Sequence, residues 1–395
     1  MKVLVVSHLA LPHVGGVENL VDLEVRGLAA SGHDVVLLTS DGTGAGRTPQ
    51  YPSSVCMVRV PAWHWLERRL GIPYPVFGPR LASALWRNTA WADVIHAHGF
   101  MFQNTSLAVV LARVQGKPCL LTDHGGIQQF GSRLATLAAR FGAEIVGRMS
   151  ATLALRVVTY NSRIQDTLNR LGRRRDAEFL PNPVDSEVFF PPSATERTEA
   201  RTALGWTDDR KKVLFVGRLI PAKGVPLLLS LIDPAYDLVF CGPGDPEILG
   251  PLPRKGVEYL PPRPQKSLRR IYHAADALVL PAGVREGFPL VVQEALSCGL
   301  PAIVGNDPGF APYRGLPGLI MCEPTRPAIR DAIHAAINKV NLIAEPERQR
   351  PPNFFPTVER WIEMLFPESE MRKVLGVPGK LSERRRTVLS TNRPD

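Results

Sequence analysis

The sequence predicts an α/β protein of two domains, each an open parallel β-sheet with helices on both faces. The chain has 395 residues, which is too long for one ordinary core. Two stretches begin alike, since a short β-branched run, a glycine-containing loop and a helix-like pattern start at Lys2 and again at Lys211. Short apolar strands then alternate with segments long enough for helices, which is typical of parallel sheets.

The expected strands fall into two groups along the chain. The first group is KVLVV, HDVVLLTS, ADVIHAHG, KPCLLTDHGG and LRVVTYNS, and the second is KKVLFVG, YDLVFCGPG, GVEYLPP, DALVLPAG and PAIVGND. A segment rich in Pro and Ser, from Pro181 to about Ser193, separates the groups and is typical of an inter-domain linker. We therefore expect an N-terminal domain over residues 1–185 and a C-terminal domain over 186–353. Residues 354–368 should form a packed helix, and residues 369–395 a mobile basic tail.

Composition excludes several classes of protein. Hydrophobic residues make up 45% of the chain and charged residues 21%, which fits neither a disordered nor a fibrous protein. The five cysteines are scattered and form no CxxC pair, so we expect neither a disulfide framework nor a structural zinc site. There is no signal-peptide core and no uncharged apolar stretch of about 18 residues. These features predict a cytoplasmic protein that does not span a membrane.

The net charge of +10 leaves the nature of the partner open. A basic chain can attract nucleic acid, anionic lipid or phosphorylated small molecules, and a charge run can also be a solvated face. Nucleic acid is not expected, because the basic residues are not interleaved with aromatics for stacking. Trp63, Trp65 and Leu66 beside Arg68 and Arg69 could lie peripherally on the inner face of a membrane. So could the helix-like segment 132–149, although ordinary core packing explains both stretches equally well.

The segment REGFPLVVQEALSCGLP carries two carboxylates around a predicted helix start. A strand should end near Pro281, and a helix should begin at about Phe288 or Pro289. Its first amides, those of Phe288 and Leu290, would face an anion such as phosphate. Glu286 and Glu294 would then accept hydrogen bonds from hydroxyl groups, as a sugar and a ribose present them. Each glutamate alone could equally be a solvated surface charge.

Two cations follow the first strand of the second half. Arg218 comes directly after this strand and Lys223 lies five residues later. Crowding two cations at the carboxyl end of a strand is unfavourable unless an anion shares the space, and a diphosphate would do so. We therefore predict a phosphate clamp, the alternative being two surface cations that flank Pro221.

Glycines and histidines follow strands in the N-terminal half. Gly15 and Gly16 open a helix and could let the backbone approach a ligand closely, or form a plain tight turn. His124 follows a strand and precedes a glycine pair, so it could face a ligand or be structural. His96, in HAHG, is expected to be structural.

These motifs together resemble a known family. The glycine pair near residue 15, HAHG, TDHG, NPVD, VGRLIPAKG, FCGPGD, YHAADALVLPA and EGFPLVVQEALSCGLP are similar to those of the retaining, nucleotide-sugar-dependent glycosyltransferases of family 4. The resemblance spans residues 1 to about 366. It implies a GT-B fold, in which two Rossmann-like domains face an inter-domain cleft, and a helix around Trp361 that crosses back to the N-terminal domain.

The resemblance also implies roles for individual residues. Arg218 and Lys223 would hold the donor diphosphate and stabilise its charge, Glu294 would bind the ribose, and Glu286 the donor sugar. His124 would contact this sugar and help to position its anomeric centre. The backbone near Arg263 would contact the base. The remaining residues expected near the sugar and phosphate are Gly15, Gly16, Gly287, Phe288, Pro289 and Leu290.

The activity so implied is transfer of a hexose to an acceptor hydroxyl of a glycan, a lipid or a small molecule, with retained anomeric configuration. Apart from the nucleotide diphosphate sugar, which is a substrate, no cofactor is expected. No metal is expected either, because no DxD motif stands in the sequence and the cations would stabilise the leaving group. A nucleotide-sugar epimerase of GT-B fold and a non-catalytic, membrane-docked binder of sugar nucleotides are the alternatives.

Overall fold

The chain forms two compact units in the computed structural model, which describes residues 1–13, 15–42, 49–70, 72, 74–125, 141–171, 176–281, 287–339, 354–367 and 371. The first unit consists of residues 1–158, 167–178 and 358–395, and the second of residues 159–166 and 179–357. Each contains one large parallel sheet with helices, so the predicted fold class is confirmed.

The first unit is built on a seven-stranded sheet of order β3-β2-β1-β6-β7-β8-β9, with a separate antiparallel pair, β4 and β5. Its strands are β1 (Lys2–Val6), β2 (Asp34–Ser40), β3 (Val55–Val60), β4 (Ala62–Trp63), β5 (Val76–Phe77), β6 (Val94–His98), β7 (Cys119–Asp123), β8 (Arg156–Thr159) and β9 (Glu178–Phe179). Its helices are α1 (Gly16–Ala30), α2 (Trp65–Leu70), α3 (Arg80–Trp91), α4 (Gln103–Val114), α5 (Arg148–Leu153) and α12 (Val358–Leu365), with a π-helix at Ala143–Gly147. Residues of α6 (Ser162–Arg170) are assigned to both units.

The second unit is built on a six-stranded sheet of order β12-β11-β10-β13-β14-β15, in which every neighbouring pair is parallel. Its strands are β10 (Lys211–Val216), β11 (Tyr236–Cys241), β12 (Val257–Leu260), β13 (Ala277–Leu280), β14 (Ala302–Gly305) and β15 (Leu319–Cys322). Its helices are α7 (Ala194–Ala203), α8 (Val225–Leu229), α9 (Gln265–Ala274), α10 (Leu290–Ser297) and α11 (Arg326–Lys339), with 3-10 turns at Pro221–Lys223, Pro246–Leu249 and Pro308–Tyr313.

Each sheet has a central strand at which the strand order reverses. In the first sheet β1 lies between β2 and β6, and in the second β10 lies between β11 and β13, so the chain leaves in opposite directions from these central strands. Such a reversal opens a crevice at the carboxyl ends of the strands, where ligands bind in open α/β sheets. Apart from their first residues, Lys2 and Lys211, the central strands are buried, as their apolar runs require when helices cover both faces.

The C-terminal helix α12 belongs to the first unit. It packs against α1 at Gly27, where a β-carbon would come within 2.4 Å of Val358 and 2.5 Å of Ile362. The guanidinium of Arg156 donates to the carbonyl oxygen of Leu365 at 2.6 Å, which satisfies a backbone group that the helix end leaves without an intrahelical donor. A glycine in α1 therefore sets how closely this late segment approaches the N-terminal helix.

The unit boundaries differ from the predicted boundary at residue 185. Thr159–Asp166 and Phe179–Thr357 belong to the second unit. The contacts explain this, because the hydroxyl of Tyr313 donates to the carbonyl oxygen of Tyr160 at 2.6 Å and Ser162 donates to the carbonyl oxygen of Pro308 at 3.0 Å. In the part of the chain that the structure describes, every helix is too short or too polar to cross a bilayer.

Candidate active site

The two predicted cations lie at the carboxyl edge of the second sheet, at its point of reversal. Arg218 follows β10 and is exposed, and Lys223 is half-buried in the turn that ends at Gly224. Gly224 has φ of +83°, and a β-carbon there would lie 2.6 Å from the ring of Pro281. The loop that carries both cations is therefore held beside the end of β13, from which the GFP turn continues.

Glycines bring the loop after β11 against this cation loop. A β-carbon on Gly242 would lie 2.1 Å from the carbonyl oxygen of Gly217, and one on Gly244 would lie 2.9 Å from Leu219. Leu219 also donates its amide to the carbonyl oxygen of Pro243 at 2.8 Å. The two glycines of FCGPGD thus permit a backbone contact that no other residue could make.

Glu294 is buried on α10 and held from two sides. Its Oε1 accepts a hydrogen bond from Gln265 Nε2 at 2.6 Å, and its Oε2 accepts one from the Tyr272 hydroxyl at 2.8 Å. Burial raises the pKa of Glu294 to about 7, against the opposing effect of these two donors. The carboxylate is therefore fixed in position by α9. The sequence motif locates Glu294 but gives no signal for Gln265 and Tyr272.

The GFP turn before α10 is anchored in the core. A β-carbon on Gly287 would lie 2.3 Å from the ring of Tyr160, so only glycine fits. Phe288 is buried and stacks on Tyr313 with ring centroids 3.7 Å apart. Pro289 caps the helix, which begins at Leu290, one or two residues later than predicted. Side-chain packing thus positions a helix N-terminus whose first amides lack intrahelical acceptors.

Two further predicted residues belong to this edge of the sheet. Arg263 is exposed after β12, two residues before Gln265. Burial raises the pKa of the Cys241 thiol to about 11, and the positive charge of Arg263 opposes this rise. Glu286 lies outside the described residues. Of the residues predicted in the C-terminal half, the structure therefore places Arg218, Lys223, Arg263, Gly287, Phe288, Pro289, Leu290 and Glu294 around the carboxyl ends of this sheet.

At the corresponding edge of the first sheet, Gly15 makes room for a buried glutamate. A β-carbon on Gly15 would lie 2.3 Å from Glu18 Oε2, whereas nothing lies within 4 Å of one on Gly16. Glu18 and Glu67 each lie 2.7 Å from a ring nitrogen of His13. The hydrogen bond with Glu18 is the main reason why the pKa of His13 rises to about 9. No local pattern in the sequence indicates this acid–histidine bridge, which joins segments more than fifty residues apart.

A second cluster, which we call the buried histidine cluster, consists of Glu24, His96, His98, Thr122 and His124. Glu24 Oε1 lies 2.5 Å from His96 Nδ1, and Glu24 Oε2 lies 2.8 Å from His98 Nε2. His96 Nε2 contacts the Thr122 hydroxyl at 2.7 Å, and His98 Nδ1 contacts His124 Nε2 at 2.9 Å. His124, predicted to be structural or to face a ligand, is thus tied to a buried carboxylate two contacts away.

Glu24, His96 and His98 are also the described residues that could together hold a metal ion, since their ligand atoms lie within 4.8 Å of one another. Two donors of one tetrahedral zinc ion lie roughly 3.3 Å apart at bond lengths of about 2.0 Å. The 2.5 Å separation of Glu24 and His96 is shorter and is that of a hydrogen bond. The contact between Glu24 and His96 therefore fits a hydrogen bond better than a pair of metal ligands, whereas Glu24 Oε2 and His98 Nε2, 2.8 Å apart, form an ion-pair contact without hydrogen-bond alignment.

Two protein families match the chain, and together they cover most of it. Residues 14–188 match the family described as Glycosyltransferase Family 4, and residues 196–339 match the family described as Glycosyl transferases group 1. The first match contains the glycine pair and the buried histidine cluster. The second contains the cation loop and Glu294.

Similar proteins include several glycosyltransferases. The putative teichuronic acid biosynthesis glycosyltransferase TuaC of Bacillus subtilis is 29% identical over 262 residues, 64% of each chain. The D-inositol 3-phosphate glycosyltransferase of Mycobacterium marinum is 35% identical over 32% of this chain and 29% of its own length. The GDP-mannose-dependent alpha-mannosyltransferase of Mycobacterium tuberculosis is 28% identical over 78% of this chain and 80% of its own. The chain thus spans less than two thirds of the first two relatives.

Solved structures share the fold. HepE of Anabaena, in complex with UDP and glucose, superimposes with a TM-score of 0.69 at 18% identity, over 93% of this chain and 99% of its own. Sucrose-phosphate synthase of Thermosynechococcus elongatus gives a TM-score of 0.65 at 19% identity, over 99% of this chain and all of its own. The predicted GT-B fold is therefore confirmed.

Proposed function

Because the chain belongs to the glycosyltransferases of group 1 and family 4, we propose that it transfers a hexose from a nucleotide diphosphate sugar to an acceptor hydroxyl with retention of configuration. The observation that carries this proposal is the carboxyl edge of the second sheet. There a fixed buried carboxylate, Glu294, shares the strand ends with a loop that holds Arg218 and Lys223.

Glu294 suits the ribose of the donor. Each of its oxygens accepts one protein hydrogen bond, and a carboxylate oxygen can accept two. The remaining lone pairs can therefore accept from the two ribose hydroxyls without any loss of the contacts to Gln265 and Tyr272. The base would lie near Arg263, which follows β12 and precedes Gln265 by two residues.

Arg218 and Lys223 suit the diphosphate. When the bond between the anomeric carbon and the diphosphate oxygen breaks, negative charge develops on the leaving group, and cations placed there stabilise it. In the retaining reaction that we propose, the acceptor oxygen bonds to the same face of the anomeric carbon. Its proton passes to the leaving phosphate oxygen, so no side-chain nucleophile is required. His124 and Glu286 would contact the donor sugar. The proposed reaction uses no cofactor, since the nucleotide sugar is a substrate.

Two experiments test donor and reaction. The stabilisation of the protein by UDP-, GDP- and ADP-sugars in a thermal-shift screen would identify the base, since HepE was solved with UDP and one relative is GDP-mannose-dependent. Release of the nucleotide diphosphate with candidate glycan, lipid and small-molecule acceptors would then measure transfer. Donor binding without release would instead indicate a non-catalytic binder, and an epimerised nucleotide sugar would indicate the epimerase.

Variants of the cation loop test the mechanism. Arg218→Ala and Lys223→Ala should each lower kcat/KM roughly 10- to 100-fold, because each removes a charge-assisted hydrogen bond of about 1.5–3 kcal/mol. Lys255→Ala is the matched control, since Lys255 is exposed at the opposite, amino-terminal end of β12. Equal activity of all three variants would reject the clamp.

We also propose that the acceptor is reached at the anionic inner face of a membrane, from the cytoplasm. Trp63 and Trp65 are 63% and 52% exposed, and the exposed Arg68 and Arg69 follow on α2. Large aromatics beside arginines are typical of peripheral membrane contacts.

Liposome sedimentation tests this proposal. The wild-type protein should sediment with anionic liposomes, and the double variant Trp63→Ser, Trp65→Ser should stay in the supernatant. Trp86→Ser, which removes an exposed tryptophan on another helix, should not. Full recovery in the supernatant would exclude membrane contact.

A further inference from the structure

The acid–histidine bridge of His13, Glu18 and Glu67 spans the glycine turn, which we define as Gly15 and Gly16. His13 comes two residues before Gly15, and Glu18 lies in the first turn of α1, which begins at Gly16. The 2.7 Å contact between His13 Nδ1 and Glu18 Oε1 therefore encloses both glycines. Glycine has more backbone freedom than any other residue, so such a turn needs contacts beside it to hold one conformation.

The hydrogen bonds of His13 require a positively charged ring. Nδ1 pairs with Glu18 and Nε2 with Glu67, each at 2.7 Å. Since an ionised carboxylate only accepts hydrogen bonds, both nitrogens must donate. The pKa of His13 accordingly rises to about 9, chiefly through the hydrogen bond with Glu18. Burial opposes the ionisation of Glu18, yet the hydrogen bond with His13 and the charges of His8 and His13 together lower its pKa. The bridge is therefore an ion pair at neutral pH.

The other titratable groups near His13 leave this charge in place. His8 follows β1, and burial lowers its pKa to about 4, so its ring is neutral. His64 Nδ1 lies 4.0 Å from Glu67 Oε2, and His64 Nε2 lies 3.4 Å from Asp41 Oδ1. The proton of His13 therefore depends on the two carboxylates to which this residue is hydrogen-bonded.

His13 also links the glycine turn to α2. Upstream, the guanidinium of Arg59 on β3 donates to the carbonyl oxygen of Leu11 at 2.7 Å, which holds the segment that leaves β1. Glu67 lies on α2, a helix of six residues in which none of the described side chains is fully buried. A helix this short is not stable by itself. The contact between His13 and Glu67 therefore holds α2 and the turn to each other.

We propose that His13 is a positioning residue, whose imidazolium holds the glycine turn against α1 and α2 through Glu18 and Glu67. The part of this inference that concerns catalysis rests on the proposed function, in which Gly15 and Gly16 lie near the donor sugar and phosphate. When His13 loses its proton, one of the two hydrogen bonds must be lost, because a neutral imidazole has a single N–H. The turn is then held less firmly, and the donor binds more weakly.

Titration of the imidazole tests the bridge without any donor. The ¹H–¹³C spectra of the wild-type histidine rings should contain a signal with a pKa of about 9 that is missing in His13→Gln. Glu67→Gln replaces one carboxylate by a neutral group of the same shape, so this pKa should fall by about one unit. Glu144→Gln, which removes an exposed carboxylate of the π-helix, is the matched control and should leave the pKa unchanged.

Calorimetry with UDP-glucose and GDP-mannose tests the positioning role. For the probe that binds, the Kd of the wild type should rise about fourfold between pH 7.5 and pH 9.5, because about three quarters of His13 is deprotonated at pH 9.5. His13→Gln should bind more weakly already at pH 7.5 and show no such rise. If neither probe binds, the proposed function fails, and this part of the inference with it, while the titration still decides whether the bridge exists.

Three results would overturn the inference. The first is a wild-type His13 that titrates near the ordinary value of 6.5, which needs no variant and so stands even if His13→Gln fails to fold. The second is a folded Glu67→Gln protein in which the pKa of His13 is unchanged. The third is a Kd that rises with pH as much in His13→Gln as in the wild type, because titration of another group would then explain the rise.

Discussion

Replacing Glu294 with glutamine should make the protein more stable at alkaline pH. The carboxylate is buried, and its pKa rises to about 7 from an ordinary value of 4.5. Glutamine has the same shape and is neutral, and its amide can still pair with Gln265 and with the Tyr272 hydroxyl, which can accept as well as donate. Glu294→Gln therefore removes a buried charge while the local contacts stay satisfied.

The size of the effect follows from proton linkage. Between pH 4.5 and 7 the folded protein retains a proton on Glu294 that the unfolded chain has lost, so the free energy of unfolding falls as the pH rises. Below pH 4.5 Glu294 is protonated in both the folded and the unfolded state, so it no longer makes the free energy of unfolding depend on pH. Each pKa unit corresponds to about 1.4 kcal/mol, so the wild type should lose about 2–3 kcal/mol between pH 5 and pH 8 through this group, as an upper bound.

Denaturant unfolding of wild type and variant at pH 5 and pH 8, without ligand, would measure this difference. The free energy of unfolding of Glu294→Gln should not show the decrease between pH 5 and pH 8 that Glu294 causes in the wild type. Glu199→Gln, which removes an exposed carboxylate on α7, should follow the wild type. If the two variants show the same dependence on pH, or if Glu294→Gln destabilises the protein more at pH 8 than at pH 5, the reasoning from burial is wrong.

Three further outcomes follow from the structure. The nucleotide sugar should bind about tenfold more weakly at pH 6 than at pH 8, because ribose hydroxyls need the ionised Glu294, and calorimetry with Glu294→Gln should show no such change. Gly27→Ala should lower the free energy of unfolding by about 1–3 kcal/mol through overpacking, whereas Gly16→Ala should raise it by about 0.5–1 kcal/mol. Equal effects in denaturation would contradict the α1–α12 packing. Gly242→Ala should cost at least about 3 kcal/mol, since φ is +147° and the β-carbon would overlap a carbonyl oxygen. Gly205→Ala, at φ of +75° in open space, should cost about 1–2 kcal/mol in the same measurement.

Local patterns in the sequence were sufficient to predict the two parallel sheets. Buried parallel strands are uninterrupted apolar runs followed by glycine-rich loops, and all ten predicted strands are present. Strands β3, β4, β5, β9 and β15 were not predicted. Strands β4, β5 and β9 have only two residues each, and β3 and β15 lie at sheet edges and are only partly buried, so none of them shows the apolar run of a central strand.

The candidate site was predictable where it depends on chain order and not where it depends on tertiary contacts. Arg218 and Glu294 follow a strand and a helix start that the sequence marks. Gln265 and Tyr272 approach Glu294 only through tertiary contacts between α9 and α10, which no local pattern encodes. No local pattern distinguishes Glu24 in α1, since the histidine that it contacts on β6 is 72 residues away.

The return of α12 to the first unit bears on how the protein is made. A ribosome synthesises the strands and helices of residues 1–158 first, yet the face of α1 around Gly27 packs against residues 358–365. N-terminal domains usually fold as units while the rest of the chain is still being translated. Here the nascent first unit lacks the contacts of α12 until about two hundred further residues have been synthesised.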